Sequence, residues 1–340
     1  MVLPAIAAAF VVIGAVAMRM SFGPGDEPAE DRRKVPLLVE EVELEKKYKF
    51  EVHDMVGERC TSSSPVKIHT KYYYPNADKP KGVVIYLHGL NSHSGRITPF
   101  YRRSLNDGWI VGMMDFRGFG RSSGRHGYIE DVDILAQDAV KFIKETKTKF
   151  PHYKVFVLGT SMGALTLLHA SIKLPPGIVD SMIYHAPPVE ISPNVLPSAP
   201  VEVLGRILLY FIPKLPFLVP HSVHSNSPGR ESVVEHSKDV DPNFYRGRLR
   251  IGTAYAMMQA SIFMQENSSG ITLPFLLIHG TADRVCAYDG SERFFAKASS
   301  TDKKLFAIPN GQHNLLQEEE QYKQLYLDTI SNWIETRVKN

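Results

Sequence analysis

Short apolar runs, most of them separated by helix-like segments, are the feature that most constrains the fold of this 340-residue chain. Two of the intervening segments, Asp131–Lys149 and Ala164–Lys173, carry apolar residues at helical spacing. Alternation of strand and helix is typical of a mostly parallel sheet with helices on both faces, so we expect an α/β fold. The predicted strands are Val83–Leu87, Ile110–Met114, Val155–Leu158, Val179–Tyr184, Leu273–Ile278 and Lys304–Ile308.

The alternation stops between residues 187 and 270, which predicts an inserted cap or lid. Within this range Val195–Pro220 is apolar, punctuated by proline and nearly free of acidic residues. The stretch Val201–Ile212 predicts an amphipathic helix, whose apolar side is a lid, a lipid-entry surface or ordinary core.

The cap divides the predicted core into two parts, residues 35–186 and 271–340. The first part opens with an antiparallel strand pair within Tyr48–Pro75, and the second ends with a helix over Glu318–Val338.

The N-terminal residues 1–20 form an apolar segment in which no charged side chain precedes Arg19. As a helix, the uncharged run would reach about 27 Å, just short of a bilayer core, so we expect membrane association. We favour a signal-anchor over a cleaved signal peptide, because no Lys or Arg precedes the run, although Ala15-Val16-Ala17 fits a cleavage site. Residues 21–34, rich in Gly, Pro and charge, predict a linker.

Composition excludes some classes of function. The 39 basic and 36 acidic residues are scattered and give a formal net charge of +3, which does not fit a nucleic-acid-binding protein. Cys60 and Cys286 form no CxxC pair, and His221 and His224 lack a third ligand at metal spacing, so we expect neither a metal nor an organic cofactor.

The segment Gly159-Thr160-Ser161-Met162-Gly163 follows one predicted strand and opens a helix. This is the strand-turn-helix context of a nucleophile elbow, in which flanking glycines relieve crowding and the turn lifts the serine hydroxyl above the sheet. Ser161 is therefore the predicted nucleophile.

A serine hydroxyl needs a neighbouring base, and that base is oriented by a carboxylate. Asp283 lies just beyond the strand Leu273–Ile278, and His313 lies just beyond Lys304–Ile308. Their order after Ser161 predicts a Ser161, Asp283, His313 triad. Cys286, three residues after the acid, either lines the pocket or is a small buried core residue.

The oxyanion of an ester intermediate needs two N–H donors. Met162 supplies one at the elbow, and Leu90, in His88-Gly89-Leu90 after another strand, is the expected second donor. We interpret His88 and Asp115 as loop architecture, while His88 as base and Asp115 as triad acid stay open. The HxxxxD spacing of His126 to Asp131, found in some acyltransferases, is expected once by chance.

At these residues the chain resembles the monoacylglycerol lipase and lysophospholipase branch of the α/β hydrolases, the serine aminopeptidase S33 or hydrolase-4 group. The resemblance runs from Tyr48 to Trp333. It rests on five segments: His88-Gly89-Leu90, His93-Ser94-Gly95-Arg96, Gly118-Phe119-Gly120-Arg121-Ser122, the elbow around Ser161 and Ala282-Asp283-Arg284-Val285-Cys286.

The resemblance implies an α/β-hydrolase fold, the same triad and oxyanion donors, and a cap that receives single-chain lipids. Thr160 and Ala164 stand where the family usually has His and Gly, which bears on substrate preference. We expect a serine hydrolase for monoacylglycerol or lysophospholipid esters that acts through an acyl-enzyme at a membrane. The alternatives are an esterase for phenolic or other small esters, and an acyltransferase using the same acyl-enzyme.

Overall fold

The computed structural model describes residues 2–24, 32–58, 65–190, 199–218 and 241–338. Cys60, His221, His224, parts of the predicted linker and much of the predicted cap lie outside the described residues.

The described part contains a large mixed sheet with helices on both sides. The strands are β1 Phe50–Val56, β2 Lys67–Tyr73, β3 Val83–Leu87, β4 Ile110–Met114, β5 Val155–Thr160, β6 Ser181–His185, β7 Pro216–Leu218, β8 Leu249–Arg250, β9 Phe275–Gly280 and β10 Lys303–Ile308. The helices are α1 Val2–Phe22, α2 Val39–Lys47, α3 Thr98–Asn106, α4 Val132–Lys149, α5 Met162–Lys173, α6 Ala199–Phe211, α7 Ile251–Asn267, α8 Tyr288–Lys297 and α9 Glu320–Val338.

The eight-stranded sheet has the order β1-β2-β4-β3-β5-β6-β9-β10. Pairs β1–β2 and β2–β4 are antiparallel, and every later pair is parallel. The predicted antiparallel pair and the predicted parallel strands are therefore confirmed. The separate β7–β8 pair lies in the predicted cap range, together with α6 and α7.

The central strands β3, β4, β6 and β9 are buried on both faces, as their mainly apolar sequences require. In β3, Val83, Ile85 and Leu87 face a cluster that includes apolar residues of α4, α5, α7 and α8. Val84 and Tyr86 face a second cluster that includes residues of α2, α3 and α9. This two-sided packing holds the carboxyl ends of the parallel strands in one row.

The C-terminal residues of the predicted linker are bonded to the core. Arg32 is buried, and its guanidinium donates to the carbonyls of Gly120 at 2.8 Å, Gly124 at 2.9 Å and Ser122. One rigid fork of donors thus satisfies three carbonyls of the turn that follows β4.

Among the residues that the structure describes, no helix combines the length and the hydropathy required to cross a membrane.

We predict that Arg32→Ala lowers the free energy of unfolding by about 2–4 kcal/mol, because three carbonyls lose a buried charged donor. Arg32→Lys should recover only part of the loss, since an ammonium lacks the planar fork. Urea denaturation measures both, with Arg33→Ala, at a more exposed neighbouring side chain, as the control. Equal stability of Arg32→Ala and Arg33→Ala would contradict the prediction.

Candidate active site

Ser161 lies in the sharp turn between β5 and α5 with φ of 54° and ψ of −119°. A non-glycine residue in this region costs on the order of 1–3 kcal/mol, so surrounding contacts must hold it. The Ser161 N–H donates to the carbonyl of His185 at 2.8 Å, and the Ser161 carbonyl accepts from Leu165 N–H at 3.0 Å. The turn therefore has the backbone geometry of the predicted nucleophile elbow.

The glycines around Ser161 are required by close backbone approach. A Cβ on Gly163 would lie 2.3 Å from the Leu87 carbonyl oxygen. A Cβ on Gly159 would lie 2.5 Å from the Gly163 carbonyl oxygen. Because both obstacles are main-chain atoms, neither yields to a change of rotamer.

Asp283 and His313 form a hydrogen-bonded pair in the loops after β9 and β10. His313 Nδ1 lies 2.6 Å from Asp283 Oδ2. The other carboxylate oxygen, Oδ1, accepts from the backbone N–H groups of Val285 at 2.7 Å and Cys286 at 2.9 Å. The Asp283 side chain is fully buried, whereas a fifth of the His313 side chain is exposed. This is the arrangement in which a carboxylate orients an imidazole.

Strand register brings this pair to the edge of the sheet that carries Ser161. Thr160 pairs with His185, His185 with Ile278, and Ile278 with Phe306 across β5, β6, β9 and β10. The loops that carry the three predicted residues therefore begin at strand ends that lie side by side. Among the residues described, no hydrogen bond joins the Ser161 hydroxyl to His313. Such bonds often tighten only when substrate binds, and the triad roles stay a prediction.

Hydrogen bonding and burial shift both pKa values. Burial raises the pKa of Asp283, but hydrogen bonds from His279 and His313 outweigh burial and hold it well below its usual range. Burial lowers the pKa of His313, but the adjacent Cys286 and Asp283 side chains outweigh it and raise that pKa to about 10. The imidazole is therefore mainly protonated at neutral pH, and its basic form grows as the pH rises.

The loop after β3, which contains Leu90, lies beside the nucleophile. A Cβ on Gly89 would stand 3.5 Å from Ser161 Cβ. His88 is fully buried below this loop, where its Nδ1–H donates to Gly89 O at 2.8 Å and its Nε2 accepts from Phe116 N–H at 3.0 Å. Burial lowers the pKa of His88 to about 4, so the ring is neutral. His88 thus fits its predicted structural role in the loop.

Asp115 is buried and accepts hydrogen bonds from two backbone N–H groups, Ser94 at 2.7 Å and Arg121 at 2.8 Å. These bonds tie the loop after β3 to the turn after β4, which is the loop architecture expected of Asp115.

The HxxxxD residues have separate structural contacts. His126 Nε2 lies 3.2 Å from the Asn243 carbonyl oxygen, and Asp131 caps α4 by accepting from Asp133 N–H at 2.8 Å. Nothing in these contacts joins the two residues into one site.

A buried cluster of Asp241, His93 and Arg96 lies beside the loop after β3 and was not predicted from the sequence. Asp241 Oδ2 lies 2.9 Å from His93 Nε2 and 2.7 Å from Arg96 Nη1. Although burial raises the pKa of Asp241, these two partners hold it well below its usual range. Tyr245 N–H also donates to Asn91 O at 2.9 Å, so this part of the predicted cap is bonded to the loop after β3. His93 and Arg96 are conspicuous in the sequence, but no local signal links them to a partner about 145 residues away.

The Asp283 carboxylate, the Cys286 sulfur and a ring nitrogen of His313 lie within 4.8 Å of one another. These donors would suit a zinc ion, but Asp283 Oδ2 is already shared by two imidazoles. A metal-free site stays our prediction.

The comparisons with known proteins agree with this geometry. The family model described as serine aminopeptidase, S33 (hydrolase-4) matches residues 78–320. The chain belongs to this family.

Its relatives include a monoacylglycerol lipase of Mycolicibacterium smegmatis, 28% identical over 79% of this chain and 93% of that protein. A caffeoylshikimate esterase of Arabidopsis thaliana is 27% identical over 80% of this chain and 83% of its own length. The solved structure of a soluble variant of Saccharomyces cerevisiae monoglyceride lipase covers 85% of this chain and 98% of its own, with a TM-score of 0.68 and 19% identity. The predicted α/β-hydrolase fold and the predicted class, a carboxylic ester hydrolase, are confirmed.

We predict that kcat/KM for a water-soluble ester rises between pH 7 and 10, because the raised pKa of His313 leaves little base at neutral pH. Cys286 and Asp283 both raise this pKa, and Asp283→Asn removes the contribution of the Asp283 carboxylate. The rise should therefore move to lower pH while the maximal rate falls by a factor on the order of 10⁴.

A pH series of initial rates measures both effects, with Asp289→Asn, at an exposed carboxylate on α8, as the matched control. A profile for Asp283→Asn that overlays those of the control and the wild type would refute the assignment of the acid.

Proposed function

We propose that this enzyme hydrolyses carboxylic esters of single-chain lipids, monoacylglycerols or lysophospholipids, through an acyl-enzyme on Ser161. The observation that carries the proposal is the Asp283–His313 pair at the same sheet edge as a serine in a strained strand-to-helix turn. Two of its similar proteins, from Mycolicibacterium smegmatis and Saccharomyces cerevisiae, are lipases of monoacylglycerols.

In the proposed reaction His313 takes the proton of Ser161 Oγ as this oxygen attacks the ester carbonyl carbon. The N–H groups of Leu90 and Met162 donate hydrogen bonds to the oxyanion that forms. His313 then protonates the leaving alcohol oxygen, and the C–O bond breaks to leave the acyl-enzyme. Water, deprotonated by His313, attacks the acyl carbon, and the fatty acid leaves as Ser161 recovers its proton.

The apolar surface of α6 supports a lipid substrate over a soluble one. At least half of each of Val203, Leu204, Ile207 and Tyr210 is exposed. Clustered exposed apolar residues on one helix are typical of lipid or protein contact sites. A phenolic ester is the second candidate substrate, because the Arabidopsis relative is a caffeoylshikimate esterase.

We predict that Ser161→Ala lowers turnover of both a monoacylglycerol and an aryl ester by at least about 10³-fold, because the nucleophile is lost. Mass spectrometry of the wild type should find the acyl group, or a fluorophosphonate label, on Ser161. Ser171→Ala, at a serine within α5, serves as the control and should keep both activities.

Wild-type turnover by Ser161→Ala would refute the proposed nucleophile. A wild-type enzyme that hydrolyses the aryl ester but not the monoacylglycerol would favour the phenolic alternative.

We also propose that α1 attaches the enzyme to a lipid layer. Phe10, Val11, Val12 and Ile13 are 71%, 71%, 61% and 64% exposed. Since consecutive helical residues point about 100° apart, these four cover every side of the helix. A protein groove covers one side of a helix, whereas a lipid phase surrounds it.

The C-terminal end of α1 contacts the last residues of α6 and the segment that follows it. Lys214 N–H donates to the Phe22 carbonyl at 3.0 Å. The guanidinium of Arg19 lies 5.8 Å from the ring centroid of Tyr210 and 5.6 Å from that of Phe211. Arginine and tyrosine are typical of a membrane–water boundary, which supports a common lipid surface for α1 and α6.

We predict that the wild type floats with phosphatidylcholine vesicles in a density gradient, and that Val11→Glu with Val12→Glu stays in the bottom fraction. Two carboxylates in the apolar run oppose insertion by several kcal/mol. Val39→Glu with Val52→Glu, at sites 72% and 53% exposed on the folded core, is the matched control and should float. Flotation of the α1 variant equal to that of the control would contradict lipid attachment through α1.

A further inference from the structure

A second histidine, His279, contacts the candidate catalytic acid. It lies at the carboxyl end of β9 and is fully buried. Its Nε2 is 3.0 Å from Asp283 Oδ2 and 3.1 Å from the Cys286 carbonyl oxygen. Its Nδ1 is 2.7 Å from the hydroxyl of Ser291, which is buried on α8. Both ring nitrogens are therefore engaged.

These contacts identify the tautomer of His279. A carboxylate and a carbonyl oxygen only accept hydrogen bonds, so Nε2 must carry the proton that they share. In the neutral ring Nδ1 is then an acceptor, and the Ser291 hydroxyl donates to it. The imidazole satisfies all three neighbours in its neutral form. It needs no charge to hold Asp283.

The contacts also complete the set of donors around Asp283. Oδ1 accepts from the backbone N–H groups of Val285 and Cys286, and Oδ2 accepts from His279 and His313. Of the two side-chain donors, His313 has solvent access, whereas His279 is fully buried and fixed within the sheet. His279 therefore anchors the oxygen to which His313 is bonded.

We propose that His279 is a positioning residue of the candidate triad: it holds Asp283 Oδ2 in place and thereby sets the orientation and basicity of His313. The proposal rests on the proposed function, in which His313 is the base. His279 touches neither the nucleophile nor the reacting ester in this role, and it acts only through Asp283.

The proposal predicts the sign of a pH effect. Each hydrogen bond donated to Oδ2 withdraws negative charge from the oxygen that attracts the His313 imidazolium. Loss of the His279 donor should thus raise the pKa of His313. The other titratable groups that influence His313 are Cys286, in the loop after β9, and His185, at the end of β6. The ring of Tyr288, on α8, packs against His279 at 5.7 Å. All three are unchanged by a substitution at residue 279.

The test compares His279→Leu with His279→Gln, using the full chain and a soluble p-nitrophenyl ester. Leucine fills much of the volume but donates no hydrogen bond. A glutamine amide can place a donor close to the Nε2 position. We expect His279→Leu to lower kcat/KM roughly tenfold or more and to move its pH dependence to higher pH, since small displacements of a catalytic group are costly. His279→Gln should restore most of the rate and the wild-type profile.

His169→Leu is the matched control, because His169 is also a buried histidine, and its ring lies 3.1 Å from the Ala260 carbonyl oxygen, away from the candidate triad. It should lose stability and keep the wild-type pH profile. NMR of the far-downfield imidazole proton shared by His313 and Asp283 provides a readout independent of turnover. This signal should move in His279→Leu and stay in place in His169→Leu.

A folded His279→Leu variant with the wild-type pH profile and an unmoved His313 signal would overturn the positioning role. So would loss of activity by the glutamine variant equal to that by the leucine variant. Failure of the proposed function is distinguished by Ser161→Ala: if that variant keeps full activity, the fault lies with the triad and not with His279.

Discussion

The hydrogen-bonded register of β5, β6, β9 and β10 is the constraint on which the rest of the molecule depends. Parallel strands in register end at one edge, so loops from distant parts of the chain emerge side by side. The loops that carry Ser161, Asp283 and His313 begin at these neighbouring strand ends. The apolar strands contribute no reactive group, yet a slip of one register position would turn their side chains to the opposite face.

Much of this arrangement is predictable from the sequence, for a physical reason. Strands buried on both faces must be continuously apolar, and a strained turn beside crowded backbone must be flanked by glycine. These are local requirements, and they predict β3, β4 and β5, the turn at Ser161 and the loops that carry Asp283 and His313. Helix and strand ends differ from the prediction by a residue or two. The strand predicted at Val179–Tyr184, for example, is observed as β6 at Ser181–His185.

Contacts between residues that belong to no local pattern could not be predicted from the sequence. The bonds of Asp241 to His93 and Arg96 span about 145 residues and follow no periodicity. The sequence gives no sign that His279, next to Gly280, has a role of its own. Its orientation depends on a hydrogen bond with Ser291, which lies on α8. Such contacts become apparent only when the topology is known. The Asp241 cluster supports the loop that contains Leu90, and His279 holds Asp283. The sequence does predict roles for Leu90 and Asp283.

The three carbonyls held by Arg32 have a consequence for proteolytic maturation. A signal peptidase cut after Ala17 would remove most of α1. It would keep Arg32 and its hydrogen bonds to the three carbonyls. The released form and the full-length form, for which we propose lipid attachment, would then share one core. Trimming past Arg32 would instead open the turn after β4, so that residue marks the upstream boundary of the catalytic globule.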